Sequence, residues 1–314
     1  MLASVQLISS VDPIQNADSI EVVSVLGWKC VVRKNQFHAG DLCVYIEIDT
    51  IVPKKYVDDS ATEEDKHRLR TVKLRGQLSQ GLVLPLPEGN YNLGDDVADL
   101  FEVCKYEKEI PVELRGMVRG DFPSFISKTD EERVQSNPEI LKSLNGKPYY
   151  ISIKIDGTSG TFFKLENELR VCSKKWEMKE GGSVYWNVAS LYNLNKIIPE
   201  GISIQGEIAG PGIQGNKLGL KEVQLFIFNG YNFIEGRYFT LQELEDFCKW
   251  FGLNTVPIIE VEEEFNKTQE ELLLMAEQVM YPNGSRAEGI VVRSIDKEIS
   301  FKVLNNKFLL KHGE

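Results

Sequence analysis

The sequence predicts a multidomain α+β protein: a small amino-terminal β barrel followed by a larger domain that mixes strands and helices. Three observations carry that reading. The chain has 314 residues, room for roughly two domains of about 150 residues each. Its first hundred or so residues run in short apolar stretches broken by turns, the pattern of a small barrel. From Tyr149 onward, runs rich in aromatic and β-branched residues are separated by segments with helical spacing. The expected division is a barrel at 1–100, a connecting segment at 101–147 and the larger domain at 148–314.

Within the barrel, "ADSIEVVSVLGWKCVVRKNQFHAGDLCVYIEIDTIVP" alternates between Gly and Asp breaks. "SQGLVLPLPEGNYNLGDDV" continues the style, with turn clusters at Glu88–Asn90 and Gly94–Asp96. Between these, "KHRLRTVKLR", Lys66 to Arg75, holds five Lys/Arg and His67, and alternate members share one face if the segment is a strand. The acidic stretch "DDSATEEDK", residues 58–66, that leads into it reads as a loop. In the connecting segment, Thr129 with Glu132 three positions later is the pattern of a helix cap, and Pro138 suits the start of a second helix. In the larger domain, strands are expected at Tyr149–Lys154, Thr161–Leu165, Ile202–Ile208, Val223–Tyr231, Gly289–Arg293 and Ile299–Val303. Helices are expected at Val184–Leu194, Thr240–Phe251 and Lys267–Met280, the second opening with the capping box "TLQE".

Composition narrows the function classes. No run of about 18 apolar residues occurs, and the amino terminus lacks the basic-then-apolar pattern of a signal peptide. Five cysteines, at positions 30, 43, 104, 172 and 248, form no C-x-x-C pair; this argues against a zinc site or disulfide framework and for reduced cysteines in an intracellular, cytoplasmic protein. The net charge of −11 argues against a non-specific nucleic-acid coat and leaves room for a local basic groove. Two readings of 66–75 stand at this level, phosphate binding and an ordinary solvated strand face.

The chemistry concentrates in four apolar strands interrupted by charge. "YYISIKIDGTSG" ends in Lys154 and Asp156, which share a strand face, with Gly157 permitting a close turn or a close ligand. "SIQGEIAGPGIQGN" sets Glu207 on a second strand ahead of a glycine-rich loop, "RAEGIVVRS" sets Glu288 before a third, and "ISFKVLNNKF" sets Lys302 inside a fourth. Each alone reads equally as a surface ion pair or edge position. Together they point to a shared site for a polyanion and a metal, because a buried charge is costly unless it is paired or holds a ligand.

These residues resemble the motifs of the covalent nucleotidyltransferases, the superfamily of polynucleotide ligases and capping enzymes, whose first motif K-x-D-G stands here as "KIDG". The resemblance is nearest to the ATP-dependent RNA ligases typified by the Naegleria gruberi enzyme. It runs in order along nearly the whole chain, through "SQGLVLP", "FPSFISKTDEERVQ", "KIDG", "RVCSKKWEM", "QGEIAGPGIQGN", "FIFNGYNF", "EGIVVR" and "FKVLNNKF". It implies an amino-terminal oligonucleotide-binding β barrel and an ATP-grasp-like, DNA-ligase-type nucleotidyltransferase domain. It also implies sealing of RNA 3′-hydroxyl and 5′-phosphate ends, as in a nicked duplex, through lysyl-AMP and an RNA-adenylate, with ATP and Mg²⁺ or Mn²⁺ and with separate enzymes healing the ends.

The same resemblance suggests roles. Lys154 is the expected nucleophile, and Asp156 the residue that orders a hydrated metal. Glu207 and Glu288 are carboxylates for the ribose or for metal-bound water. Phe228 is the expected adenine platform, although a core strand residue is the plain alternative. Lys302 is expected at the AMP phosphate, Gly157 beside the nucleotide, and Lys174, near Arg170 and Ser173, at a phosphate or an RNA 5′ end, with a solvated turn as its alternative. Related RNA ligases often read K-x-K-N in the last motif; this chain reads K-V-L-N from Lys302 to Asn305. Leu304 holds no phosphate, which leaves Lys307 or another cation to compensate. The chain stops soon after Lys302, where DNA ligases and capping enzymes carry their barrel, so barrel-first order resembles an RNA ligase. DNA ligase, GTP-dependent capping enzyme and non-catalytic RNA-binding protein are the other readings. The chemistry requires an uncharged lysine, hence a site that lowers its pKa from about 10.4.

Overall fold

The computed structural model describes residues 1–57, 65–106 and 116–312; of the expected loop at 58–66, residues 58–64 lie outside the described residues and Lys66 opens a strand. The chain falls into two compact units. One is drawn from Met1–Lys108, Val134–Pro138 and Asn306–Glu314, the other from Glu109–Arg133 and Glu139–Asn305. Residues 134–138 and the helix Asn306–His312, which the sequence suggests belong to the connecting segment and the larger domain, thus group with the barrel strands. Gly27 N–H donates to the Gln135 carbonyl, Gln80 Nε2 donates to Asn306 Oδ1 at 3.1 Å, and the helix packs against the strand Thr71–Leu74.

The first unit is built on strands β1 (Ala3–Pro13), β2 (Ile20–Val25), β3 (Trp28–Arg33), β4 (Leu42–Ile46), β5 (Thr50–Pro53), β6 (Lys66–Arg68), β7 (Thr71–Leu74), β8 (Gln77–Gln80), β9 (Leu82–Pro85) and β10 (Cys104–Lys105). β1 is long enough to serve two partners. Residues 3–7 pair with β4 and residues 8–13 pair with β2, with a register irregularity between Ile8 and Ser10. Such an irregularity bends a strand and adds twist, which lets its two halves feed separate cores. Ile8, Val23, Trp28 and Tyr45 lie in one, and Ala3, Val5, Val44 and Phe101 in the other. The basic stretch is not one strand but two, β6 and β7. The division lies where the pairing changes, from β5 for Lys66–Arg68 to β8 for Thr71–Leu74.

The second unit carries two sheets. The larger runs in the order β11 (Val118–Asp121), β16 (Trp176–Met178), β15 (Glu168–Cys172), β14 (Thr158–Leu165), β17 (Ile202–Ala209), β18 (Gln224–Asn232) and β19 (Arg237–Tyr238), with β20 (Asn254–Thr255) also paired to β18. The smaller runs β12 (Glu132–Arg133), β23 (Ser300–Leu304), β22 (Gly289–Ser294), β13 (Tyr149–Lys154) and β21 (Ile258–Glu262). The helices Val184–Leu191 and Leu241–Phe251 bury Val188, Leu244 and Cys248 against Phe162, Ile204, Leu225 and Ile227 of the larger sheet. A second cluster, Ile153, Ile155, Ala209, Leu218, Tyr281 and Ala287, ties the ends of β13 and β17 together. That cluster brings the charged strand ends into one place.

Two local expectations give way to longer-range contacts. Thr129 caps no helix: its hydroxyl is hydrogen-bonded to that of Ser159 at 2.7 Å, and Glu132 lies in β12, paired in parallel with Phe301. The expected helix Val184–Leu194 ends at Leu191, and a short helix, Leu194–Ile197, follows after Asn193 adopts a left-handed conformation, which Asn tolerates better than most residues. Among the described residues no helix is long and apolar enough to cross a membrane.

The capping box at Thr240 forms, with both Thr240 and Glu243 engaged, and Thr268 with Glu271 makes a second. Replacing Thr240 by Ala is expected to lower unfolding stability by about 1 kcal/mol, measured as a reduced urea midpoint with an unchanged slope.

Candidate active site

Lys154 ends β13 opposite Gly289 of β22, one residue after Glu288. The pairing places the Lys154 ammonium 2.6 Å from Glu288 Oε2, with side chains 24% and 12% exposed. Gly289 has no alternative, because an added Cβ would meet the Val303 carbonyl oxygen at 2.2 Å. Beyond β13 the chain turns towards β17. There a Cβ on Gly157 would lie 2.3 Å from the Ile208 oxygen, so this glycine answers a close approach of backbones. The Gly157 amide donates to the Glu207 carboxylate.

The backbone of the site is tied by Tyr281, which is 2% exposed. Its hydroxyl donates to the Lys154 carbonyl at 3.0 Å and accepts the amides of Asp156 at 3.0 Å and Glu288 at 3.3 Å. Asn305 adds a second tie: its amide donates to the Glu288 carbonyl, and its Nδ2 to that of Ala287. The asparagine of K-V-L-N is therefore a backbone clamp, while Leu304 is buried and Lys307 lies on the helix that groups with the other unit.

The electrostatics are those of carboxylates crowding one amine. Burial alone would pull the Lys154 pKa down, but Glu288, then Glu207 and Asp156, outweigh it and hold the amine above its ordinary value. The expected lowering is thus not a property of these side chains alone; the carboxylates favour the ammonium. Glu207 is pushed up to about 8 by burial, with Glu288 and Asp156 adding to the shift and Lys154 opposing it. Lys302 is lowered to about 8 by burial, then by Arg133 and Lys154.

Most of the charged residues singled out from sequence gather in one region. Lys154, Glu207 and Glu288 converge, and Asp156 joins them while its Oδ2 lies 2.5 Å from Lys217 Nζ. Lys302 and Lys174 share Asp130, at 3.7 Å and 2.9 Å from its Oδ1. Phe228 sits half-buried against the Ile153 and Ile155 cluster, at a bulge where Gln205 opposes Asn229 and Gly206 opposes Ile227. Its carbonyl accepts from Lys297 Nζ at 2.8 Å. Arg170 and Ser173 do not join the carboxylates. Arg170 pairs with Glu177 and Glu168, and the Ser173 hydroxyl accepts from the Trp176 amide within a turn. Cys172 is fully buried.

Sequence patterns miss Lys217, Tyr281, Asp130, Arg133 and Lys297. The glycine-rich loop around Lys217 was visible, but its lysine carried no strand pattern. Arg133 reaches the site only through the register that sets it beside Lys302.

A model described as an OB-fold domain matches residues 2–86, and one described as RNA ligase matches residues 147–310. No curated protein matches the chain. Among solved structures, the chain is similar to a Naegleria gruberi RNA ligase mutant with ATP and Mn, at 34% identity and a TM-score of 0.92, covering 100% of this chain and 99% of that one. It is similar to the same organism's RNA ligase with PPi, at 34% identity and a TM-score of 0.90, over 99% and 98%. A further mutant, with AMP and Mn, gives 34% identity and a TM-score of 0.91 over 99% of each chain. The architecture is accordingly an OB-fold domain followed by a domain of the nucleotidyltransferase class. Within that class, the chain belongs to the RNA ligase family.

Replacing Tyr281 by Phe would leave two amides and a carbonyl at the site without their shared partner. The expected cost is about 2 kcal/mol of unfolding free energy, read by chemical denaturation. A variant as stable as the parent would remove Tyr281 from this role.

Proposed function

We propose that the chain is an ATP-dependent RNA ligase in which Lys154 carries the nucleotide. The observation that carries this reading is one lysine, 24% exposed, at a strand end against Glu288, with Asp156 and Glu207 acting on it. A lysine retained merely for solubility would face water with no such company.

In the first step the Lys154 amine, having lost its proton, attacks the α-phosphorus of ATP. A phosphorus–nitrogen bond forms, the bond to the bridging oxygen breaks, and pyrophosphate leaves. In the second, an RNA 5′-phosphate oxygen attacks the same phosphorus and the lysine departs as an amine. In the third, an RNA 3′-hydroxyl attacks the activated 5′-phosphate, forms the phosphodiester and expels AMP. Lys302 and Arg133, neighbours in register, supply positive charge for the phosphate oxygens, where preplaced cations lower the barrier. Lys174, 49% exposed, suits the more open approach of an RNA end. Phe228 offers an aromatic face for the base, in a conformation set by its bulge and by Lys297.

The relatives' structures include Mn, and the carboxylates here suit a hard divalent cation. Among the described residues no group of three or more His, Cys, Asp or Glu stands as a ready ligand set, and lysines engage two of the carboxylates. Burial, with Glu288 and Asp156 adding to it, pushes Glu207 up to about 8; a cation relieves that cost, and one that keeps part of its water shell needs few direct ligands. Asp156, Glu207 and Glu288 would hold it. When bound, Mg²⁺ or Mn²⁺ supplies the positive charge that favours the neutral amine and offsets phosphate charge.

The finer reading is a nicked duplex with 3′-hydroxyl and 5′-phosphate ends, prepared by separate end-healing enzymes. The basic barrel segment supports RNA as the partner. Arg70, Lys73 and Arg75 are exposed, whereas Arg68 is taken up by Asp49 at 2.7 Å and by the Tyr106 ring.

Incubation with ATP and Mn²⁺ is expected to add the mass of AMP to the intact protein. Lys154→Met is expected to abolish the gain while circular dichroism stays unchanged, and chelation by EDTA to prevent it. An adduct on Lys154→Met would reject the nucleophile. Replacing Arg70, Lys73 and Arg75 together by Ala is expected to slow sealing of a nicked RNA duplex about tenfold, with the loss shrinking as salt rises. Lysine adenylylation should change less than about twofold, since no phosphate-backbone contact is needed for it. Equal loss of both would separate this segment from RNA.

A further inference from the structure

The loop between β17 and β18 is a built device rather than a spacer. Asn216 closes it on itself: Nδ2 donates to the Leu220 carbonyl at 2.9 Å, and Oδ1 accepts the Leu220 amide at 3.0 Å. The Lys217 carbonyl is held from the other side by Ser285 Oγ at 2.7 Å and Asn283 Nδ2 at 3.0 Å. Leu218 is buried beside Ile153, Ile155 and Tyr281. Gly219 has a φ of +65°, and a Cβ there would meet Asn283 Nδ2 at 2.9 Å, so glycine lets the loop close on that asparagine. The sum of these ties is that one side chain, Lys217, reaches the motif aspartate. Its Nζ lies 2.5 Å from Asp156 Oδ2, with the two side chains 18% and 10% exposed.

Asp156 is equally fixed, since its amide is donated to Tyr281. Both partners are therefore positioned by backbone contacts before they meet, which lowers the ordering cost that makes most exposed pairs weak. The pair also divides the work of the two lysines. Lys154 is directly engaged by Glu288, and Lys217 by Asp156. A divalent cation using Asp156 would meet an ammonium already on that oxygen, and two cations at such a distance repel strongly in a partly buried site.

We propose that Lys217 is a positioning residue of the adenylylation site: a tethered cation that holds Asp156 oriented and charge-balanced and that the entering divalent cation displaces. The inference rests on the metal reading above and assigns to metal entry the character of a cation exchange. The metal's affinity is thereby set below what the three carboxylates would give by themselves, by the cost of moving Lys217 off Asp156.

The test is Mn²⁺ binding by the full chain at pH 8 and low salt, with free Mn²⁺ followed by electron paramagnetic resonance and no nucleotide present. Lys217→Met is expected to tighten binding about tenfold, because a competing charge is gone, and Lys217→Arg to stay within about twofold of the parent, because the charge is kept. On an Asp156→Asn background, Lys217→Met should give no tightening, since the two residues act through one contact. Should Lys217→Met fail to fold by circular dichroism, Lys217→Gln takes its place with the same expectation. Unchanged or weaker Mn²⁺ binding by the folded neutral variant overturns the exchange, as does tightening that persists on the Asn background or absence of Mn²⁺ binding by every form. Failure of the parent to gain AMP mass would instead refute the ligase reading, and the Mn²⁺ comparison would still decide the role of Lys217.

Discussion

The site depends on the contest between one amine and the carboxylates that surround it. Asp156, Glu207 and Glu288 all favour the ammonium form of Lys154, strongly enough to overcome a burial that would otherwise depress its pKa. Left so, the lysine is a cation and no nucleophile. Burial, with Glu288 and Asp156 adding to it, raises Glu207 to about 8. On the proposed reading, added positive charge is what releases the neutral amine. Charge balance links Lys154, the carboxylates and Lys217 in one electrostatic unit.

That unit needs accurate placement, and the fold supplies it by tying the backbone on either side of the charges. Tyr281 gathers the backbones of Lys154, Asp156 and Glu288 on a single hydroxyl. Asn305 does the same for Ala287 and Glu288. Gly157 and Gly289 stand where any side chain would strike a neighbouring carbonyl. Close backbone approach and polar satisfaction are thus concentrated around the charges, while the apolar cluster of Ile153, Ile155 and Ala287 holds the strand ends together beneath them.

A good part of this was legible from the residues. The strand Tyr149–Lys154 has the expected bounds, and the Thr240 capping box forms as its spacing suggests. The interruption of apolar strands by Lys154, Glu207, Glu288 and Lys302 marked the site, because buried charge requires a partner. What misled was locality. Thr129 and Glu132 make a good cap on paper, yet Glu132 is drawn into parallel pairing with Phe301 and the Thr129 hydroxyl is hydrogen-bonded to that of Ser159. The basic stretch 66–75 alternates as one strand would, yet its two halves pair with different strands, β5 and β8.

By itself the amino-acid sequence determined the order of barrel and larger domain and the strands that carry charge, because periodicity and charge placement are properties of neighbouring residues. Only the tertiary structure decided which groups meet. Lys217 and Asp156 are 61 positions apart, and Tyr281 is 127 from the Lys154 carbonyl it binds. Arg133 stands beside Lys302 through a strand register. Such meetings arise from chain closure over long separations, and no local pattern encodes where a distant side chain will arrive.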